Sequence, residues 1–271
     1  MSLDVYVSGG ICCIILIKPM LNSYDILIPV AEKDFVKLRF VWESIINNLS
    51  GFDKIYCISN IKMPISLRLP SVEYYTDADI IDFDYMRFTG NIKGHEGAYM
   101  QQYIKLFQKI TSDDYLEVDA DVFFNRKVDI IENGKPTFLF GRDQHHLPYF
   151  DFMEKIFDLG RIYPHSFIND TMYFKRSIIN HFLSLFELDA RGFFEIMLSE
   201  ANRYNQCSGC SEFELYGNYV TKYFKDSYNY RYLKTYLGGK YGYWNEDEIR
   251  QYINYFKGQD YDLISMHSWI Q

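Results

Sequence analysis

Three features that would assign the sequence to a broad class at once are missing. No run of Lys and Arg exceeds two residues, and the formal net charge is -8. Nucleic-acid binding normally needs a basic face, so no nucleic-acid partner is expected. No stretch rich in Pro, Gly or Ser divides the 271 residues, which favours one domain over two joined by a linker. No apolar run reaches the ~20 residues that a bilayer span requires.

An apolar stretch does occur near the start, at residues 11–17, between Asp4 and Lys18. It lacks the basic segment that precedes the apolar core of a signal peptide. We therefore interpret residues 1–23 as an N-terminal extension of unknown role, either an extra strand or a poorly fixed segment. A weak signal or membrane tether is the alternative, but membrane association is not expected. Residues 24–271 form the predicted domain.

The five cysteines are an odd number and show no paired zinc-ligand spacing. A disulfide framework is therefore not indicated, and a reducing, cytoplasmic location is expected.

The sequence does show apolar patterns, of strand type in some segments and of helix type in others. Strand candidates and amphipathic helix candidates follow one another, which indicates a parallel sheet with helices on its faces. The strand candidates are 24–30, 54–59, 72–75, 115–118, 137–141, 171–174 and 263–267, and the helix candidates are 35–49, 99–110, 150–157, 177–186, 193–201 and 247–256.

The strongest chemical signal is a pair of carboxylates two residues apart. Asp119 and Asp121 follow the strand candidate 115–118, and side chains two apart share one face of an extended chain. Acidic groups at a strand end lie where open α/β sheets bind ligands, and such a pair suits a divalent cation that bridges to phosphate oxygens. Without a cation their repulsion is costly, on the order of 4 kcal/mol at ~4 Å. A polar turn after a strand is the other interpretation.

Around this pair the sequence resembles a known group of enzymes. The DxD strand is similar to that of A-type-fold (GT-A) nucleotide-sugar glycosyltransferases. Three further segments resemble one DxD-containing group of them, of formerly unknown function and found in bacteria and large DNA viruses: Gln101–Leu106, Phe167–Phe174 and Ser211–Tyr219. The resemblance runs from Tyr24 to Tyr223. It implies a Rossmann-like α/β single domain with a central, mostly parallel mixed sheet flanked by helices.

The same resemblance implies a metal site. In such enzymes the DxD binds a divalent cation, usually Mn²⁺, with Mg²⁺ as the alternative. This assigns Asp119 and Asp121, with Asp121 as the direct ligand. Many members of the broader fold add a late histidine, and His267 ends the last strand candidate. A nitrogen ligand beside carboxylates favours Mn²⁺ over Mg²⁺. On spacing alone, His267 is a surface or packed histidine.

For the donor, the resemblance places the base and ribose at the end of the first strand, which assigns Pro29, Val30, Lys33 and Asp34. A plain N-cap of the following helix is the alternative for Asp34. Gln101 and Lys105 are one helical turn apart, on a face that could reach donor phosphates. A solvated lysine on an amphipathic helix is the other interpretation of Lys105.

Ser211 and Glu214 have the spacing of a capping box, in which Ser211 caps a helix and Glu214 turns back to the amide of the cap. Glu212 is then the freer carboxylate, because residues two apart on a helix face different directions. An inverting transferase needs a base for the acceptor hydroxyl. We expect Glu212 in that role first, Asp170 second and Glu214 third.

The sequence therefore predicts transfer of a hexosyl or pentosyl group from a nucleoside diphosphate, UDP first, to a hydroxyl of a glycan-type acceptor. A haloacid-dehalogenase-like phosphatase also has a DxD after an apolar strand. In that family the motif opens the fold and precedes a late Gly-Asp-x-x-x-Asp, and neither holds here. A third alternative is a non-catalytic glycan-binding protein or decayed transferase. It would use the Tyr-rich stretches 228–232 and 240–244 for recognition. In the enzyme these residues are acceptor-site candidates.

Overall fold

The computed structural model describes residues 23–83, 96–141, 143, 145–201 and 209–268. The extension predicted for residues 1–23 therefore lies outside the described residues, apart from Ser23. The strands are β1 (Tyr24–Val30), β2 (Phe52–Ser59), β3 (Val72–Thr76), β4 (Asp114–Val118), β5 (Val122–Phe124), β6 (Ile131–Glu132), β7 (Lys135–Phe140), β8 (Thr171–Lys175), β9 (Asn229–Tyr232), β10 (Thr235–Gly239) and β11 (Leu263–His267). The α-helices are α1 (Phe35–Asn48), α2 (Asp77–Ile80), α3 (Glu96–Phe107), α4 (Leu147–Phe157), α5 (Arg176–Leu185), α6 (Ala190–Ala201), α7 (Glu212–Tyr223) and α8 (Glu246–Phe256).

A five-stranded sheet forms the centre, in the order β3-β2-β1-β4-β8. The first four strands are parallel and β8 is antiparallel to β4. Every residue of β1 is buried, because a parallel strand covered by helices on both faces is apolar throughout and does not alternate. The predicted fold class is confirmed: an α/β fold with a central, mostly parallel mixed sheet flanked by helices.

Two smaller sheets complete the described structure. One has the order β10-β11-β5, with β10 parallel and β5 antiparallel to β11. The other has the order β6-β7-β9. The chain passes from the central sheet to the β10-β11-β5 sheet through the residues between β4 and β5. Those residues are the predicted DxD.

One predicted helix ends earlier than its apolar pattern suggested. The third helix stops at Phe107 and does not reach Ile110. The reason is Gln108, whose side-chain Oε1 accepts hydrogen bonds from the backbone N–H of Ile110 (3.0 Å) and Thr111 (3.2 Å). A side chain that binds backbone amides locally offers an alternative to the next helical turn.

The strands β5, β6, β9 and β10 were not predicted, and β5 and β6 have only three and two residues, too few to show a strand period. Across the parts of the chain just given, no helix combines the length and the apolar character needed to cross a bilayer.

Candidate active site

The paired aspartates lie at the carboxyl end of β4, in the turn that leads to β5. Three backbone hydrogen bonds anchor this turn. The N–H of Asp119 donates to the Asp170 carbonyl (3.0 Å), that of Val122 to the Asp119 carbonyl (3.2 Å), and that of Met266 to the Asp121 carbonyl (2.8 Å). The side chains of Asp119 and Asp121 are 25% and 17% exposed. The turn is thus held on its backbone side, and both carboxylates reach solvent.

Asp119 belongs to a cluster around Lys105 of α3. The Lys105 side chain is 6% exposed, and its ammonium lies close to three carboxylates: Asp119 (2.8 Å), Glu212 (3.0 Å) and Glu117 (3.2 Å). The ammonium also lies 4.4 Å from the centre of the Phe213 ring, a cation–π contact. The interpretation of Lys105 as a solvated lysine is therefore wrong. The buried Lys105 ammonium therefore connects α3 with β4, the DxD turn and the start of α7.

The acids of this cluster differ in their affinity for a proton. Burial raises the pKa of Glu117 well above its usual range, against the opposing charge of Lys105. Burial also disfavours ionised Asp119, but the charge and hydrogen bond of Lys105 outweigh it and hold the pKa of Asp119 below its ordinary value. For Lys105, burial lowers the pKa, and the surrounding carboxylates raise it well above the ordinary value. Burial therefore favours the neutral form of Glu117, whereas Lys105 favours the ionised form of Asp119.

Glu117 was not selected from the sequence, although a signal was present. It is fully buried and lies two residues before Asp119, so both side chains share one face of the strand. A single acid inside an apolar strand is rarely buried without a partner. That was the available clue.

Asp121 belongs to a second cluster, at the end of β11. Its Oδ2 lies 3.2 Å from His267 Nδ1 and 3.7 Å from Lys37 Nζ. Across the ring, His267 Nε2 lies 3.7 Å from Asp170 Oδ2, which accepts a 2.6 Å hydrogen bond from Ser265 Oγ. Burial raises the pKa of Asp121, and the hydrogen bond and charge of His267 partly offset this. The imidazole therefore lies between two carboxylates.

Asp170 reaches this cluster because β8 is antiparallel to β4. Val118 at the end of β4 pairs with Thr171 at the start of β8, so the residue before Thr171 lies at the same edge as the DxD. Asp170 has a positive φ of 56°, a left-handed conformation that costs most residues roughly 1–2 kcal/mol but that Asp adopts more readily. Its carbonyl and its carboxylate both hold neighbours of the site.

The donor candidate Asp34 occupies the N-cap position of α1, but its side chain makes no capping hydrogen bond. The carboxylate pairs instead with Lys37, with 2.7 Å between Oδ1 and Nζ. The interpretation of Asp34 as a plain N-cap is therefore wrong. Lys37 is fully buried and was not selected from the sequence, where it interrupts an otherwise apolar helix face.

The predicted capping box at α7 is half correct. The Ser211 hydroxyl accepts the Glu214 N–H at 3.3 Å, as expected. The carboxylate of Glu214 does not turn back to the cap. It accepts hydrogen bonds from Ser166 Oγ (2.5 Å), the Phe167 N–H (3.3 Å) and Asn218 Nδ2 (3.2 Å). Ser166 and Phe167 belong to the buried loop before Asp170, and Asn218 lies one turn further along α7.

Glu212 and Glu214 face different directions, as predicted. Glu212 turns towards Lys105 and the DxD, whereas Glu214 fixes the loop that carries Asp170. Burial raises the pKa of Glu214, and its hydrogen bond from Ser166 opposes this effect. Of the three candidate bases, Glu212 and Asp170 therefore lie at the site, and Glu214 supports it.

A groove of about 1170 Å³ opens beside the first strand end. Lys33 lines it, together with Ala31, Trp42, Asn60 and Tyr243. Pockets for small organic ligands enclose about 300–1000 Å³, so a nucleoside fits this volume.

The remaining donor candidates lie at differing depths. Pro29 and Val30 are buried in β1, and Gln101 is half-buried one helical turn before Lys105. The acceptor candidates Tyr241 and Tyr243 are 75% and 80% exposed.

The donor chemistry of the site fits a divalent cation in kind. Carboxylates suit Mn²⁺, and an imidazole is a ligand of transition metals and not of Mg²⁺; Asp121 and His267 are in contact. Asp119 is paired with Lys105 instead. Among residues 23–83, 96–141, 143, 145–201 and 209–268, no three His, Cys, Asp or Glu side chains form a metal-binding group. A bound cation would thus have Asp121 and His267 as its nearest ligands, and Asp119 would join them by releasing Lys105.

Fold and site together define an α/β protein with a cluster of acidic residues at the carboxyl edge of its parallel strands. The chain matches no protein-family model and no curated protein sequence. Its structure is similar to that of the galactosyltransferase LgtC, solved with donor and acceptor sugar analogues, at 9% identity and a TM-score of 0.44, over 89% of this chain and 86% of LgtC.

Two further solved glycosyltransferases are similar to the chain. The mannosyltransferase Ktr4p from S. cerevisiae is 11% identical, with a TM-score of 0.48, over 78% of this chain and 70% of Ktr4p. The bifunctional glycosyltransferase WbbM is 13% identical, with a TM-score of 0.43, and the similarity covers 90% of this chain and 45% of WbbM. At these values the similarities carry no argument about activity, which has to be derived from the site.

Proposed function

We propose that this chain is a GT-A glycosyltransferase that moves a sugar from a nucleoside diphosphate, UDP first, to a hydroxyl of a glycan-type acceptor. The observation that carries the proposal is the DxD itself. Its two carboxylates reach solvent at the carboxyl edge of the central sheet, and Asp121 contacts His267. An acidic pair beside an imidazole suits a diphosphate bound through a cation. The groove at Lys33, which the DxD itself does not line, has the volume for a nucleoside.

Each residue then has a role in binding or orientation. Asp121 and His267, with Asp119, would hold the divalent cation, whose charge offsets that of a leaving diphosphate. The base and ribose of the donor occupy the end of the groove at Lys33, beside Asp34. Lys105 is enclosed by carboxylates, so its first role is to orient Asp119 and Glu212.

For the proton of the acceptor hydroxyl, Glu212 is the proposed base. Its side chain is 7% exposed and is held by Lys105 at 3.0 Å, next to Asp119 in the same cluster. Asp170 is the second candidate, since it lies across His267 from Asp121. A positioned base contributes roughly 10²–10⁴-fold to rate.

The experiment compares Asp121→Ala with the wild-type chain. We expect metal-dependent hydrolysis or transfer of UDP-sugars to fall about 100-fold or more, because changes one shell further out already cost 10–100-fold. In parallel, Mn²⁺ and a UDP-sugar together should raise the wild-type melting temperature, since a ligand at 100 times its Kd stabilises by about 2.7 kcal/mol. The matched control is Asp113→Ala, whose side chain is 86% exposed.

Full activity in the folded Asp121→Ala variant would reject the assignment of the DxD. Hydrolysis of a generic phosphomonoester with no response to UDP would favour the phosphatase alternative. Glycan binding with no dependence on metal or nucleotide would favour a binding protein.

A further inference from the structure

Lys37 is the least expected residue near the DxD. It lies on α1, whose other buried residues are apolar, and it is itself 0% exposed. A buried lysine is rare unless its charge is paired and its hydrogen bonds are satisfied. Its partners therefore indicate why it is there.

Three short contacts surround the Lys37 ammonium. It lies 2.7 Å from Asp34 Oδ1 and donates to the Met266 carbonyl and to Ser268 Oγ, both at 2.8 Å. An ammonium has three N–H donors, so these partners account for all of them. Met266 and Ser268 are the residues immediately before and after His267.

The backbone of His267 is also held by β10 and by the residue that follows it. The Lys240 N–H donates to the His267 carbonyl at 3.1 Å. A side chain at Gly239 would also collide with that carbonyl, because its Cβ would lie 2.1 Å from the oxygen. The strand is thus fixed between β10 and the Lys37 ammonium of α1, and the Met266 N–H binds the Asp121 carbonyl in between.

From this arrangement we infer that Lys37 is a positioning residue for the Asp121–His267 pair. It donates hydrogen bonds to Met266 and Ser268, the residues on either side of His267 in the chain, and so fixes the direction in which the imidazole points. The role of the pair in holding a cation rests on the proposed function, whereas the grip on residues 266 and 268 does not.

Charge and position predict opposite results when Lys37 is removed. The ammonium lies 3.7 Å from Asp121 Oδ2, so it repels any cation bound there. If Lys37 acted only through its charge, Lys37→Met would bind Mn²⁺ more tightly than the wild-type chain. If it positions His267, the variant binds Mn²⁺ more weakly, because a residue that orients a metal ligand through hydrogen bonds is worth about 10–100-fold in affinity.

The experiment titrates the full chain with Mn²⁺ alone, reading free Mn²⁺ by electron paramagnetic resonance. We expect Lys37→Met to bind at least about 10-fold more weakly. The matched control, Lys54→Met, removes a lysine paired with Glu73 on the surface and should leave the affinity unchanged. Unchanged or tighter binding in Lys37→Met overturns the inference.

A second readout needs neither metal nor donor. The imidazole of His267 is followed by NMR among the six histidines, and His267→Gln assigns its signal. We expect Lys37→Met to shift that signal in the metal-free chain and Lys54→Met to leave it in place. An unmoved signal overturns the inference even if Mn²⁺ affinity falls.

Lys37→Met leaves Asp34 buried without its partner, so Ser268→Ala provides a milder variant. It removes one of the three ammonium contacts and leaves the Lys37–Asp34 pair intact. We expect about 3-fold weaker Mn²⁺ binding and a smaller shift of the His267 signal. If Lys37→Met does not fold, an unchanged Ser268→Ala overturns the inference. If the wild-type chain binds no Mn²⁺, the proposed function fails, and the His267 signal still decides the role of Lys37.

Discussion

The two aspartates of the DxD are each next to a buried lysine, and the two lysines are anchored in different ways. Lys105 contacts three carboxylates within 3.2 Å. Lys37 contacts the Asp34 carboxylate, one carbonyl and one hydroxyl, and it lies 3.7 Å from the Asp121 carboxylate. Both clusters therefore hold more acid than base. The difference is that Lys105 is held by acids of the site, whereas Lys37 also binds the two residues next to His267.

The largest expected effect is on catalytic turnover and concerns Glu212, the proposed base in the Lys105 cluster. We expect Glu212→Gln to lower turnover by about 10²–10⁴-fold, because the amide cannot take a proton, while the melting temperature changes little. The measurement is the initial rate of sugar transfer at saturating donor.

The comparison for Glu212 is Glu214→Gln, two residues further along the same helix. Glu214 accepts hydrogen bonds from Ser166 and Phe167 in the loop before Asp170 and from Asn218 of α7, so this variant should lose stability and keep most of its turnover once folded. If turnover were lost in Glu214→Gln and kept in Glu212→Gln, the base would be Glu214 and not Glu212.

A smaller effect, on stability, is expected when the charge of the Lys105 cluster is removed. Lys105→Met leaves three acids around an apolar side chain, and breaking a buried pair costs about 3–5 kcal/mol. Urea denaturation at pH 7 measures this. Since Lys105 holds the pKa of Asp119 below its ordinary value, the stability it confers is present above the unfolded-state pKa and is lost as pH falls through the folded-state pKa. The difference between variant and wild-type chain should therefore shrink below about pH 4.

An equal loss at pH 7 and in acid would mean that Lys105 contributes packing and not charge.

The smallest effect is expected for Glu117→Gln. Burial raises the pKa of Glu117 well above its usual range and so favours the neutral acid, which the amide of Gln resembles in shape, and we expect little change in stability in mildly acidic solution. The folded state binds this proton more tightly than the unfolded state. Wild-type stability from this group is thus full below the unfolded-state pKa and falls as pH rises, by up to about 1.4 kcal/mol per pH unit.

Glu117→Gln lacks this loss, so it should become more stable relative to the wild-type chain as pH rises from 5 to 8. Chemical denaturation at several pH values gives the slope. If Glu117→Gln instead became less stable relative to the wild-type chain as pH rises, Glu117 would be ionised in the folded chain.

How far the sequence could predict this structure depended on how local each signal was. The strand before the DxD and the helix of Lys105 have strong apolar periods, and both formed, although the helix ends at Phe107 and not at Ile110. Glu212 and Glu214 were correctly predicted to diverge, because their spacing on a helix decides it. These features are contained in a dozen residues each.

The features that sequence reasoning missed depend on distant parts of the chain. Lys37 is buried by a contact 229 residues away, at Met266, and a helical period treats a lysine at that position as exposed. Glu214 turned from its cap to Ser166, 48 residues away. That choice became visible only once the loop before Asp170 was in place.

The DxD turn is also the covalent connection between two sheets. β4 lies in the central sheet and β5 in the sheet of β10 and β11, and the residues between them are the two acids and Ala120. The sheets therefore cannot slide past one another without moving both carboxylates. A ligand that holds Asp119 and Asp121 together would therefore also fix the central sheet relative to the sheet of β10, β11 and β5. Ligand binding should then slow amide hydrogen exchange along β5 and β11.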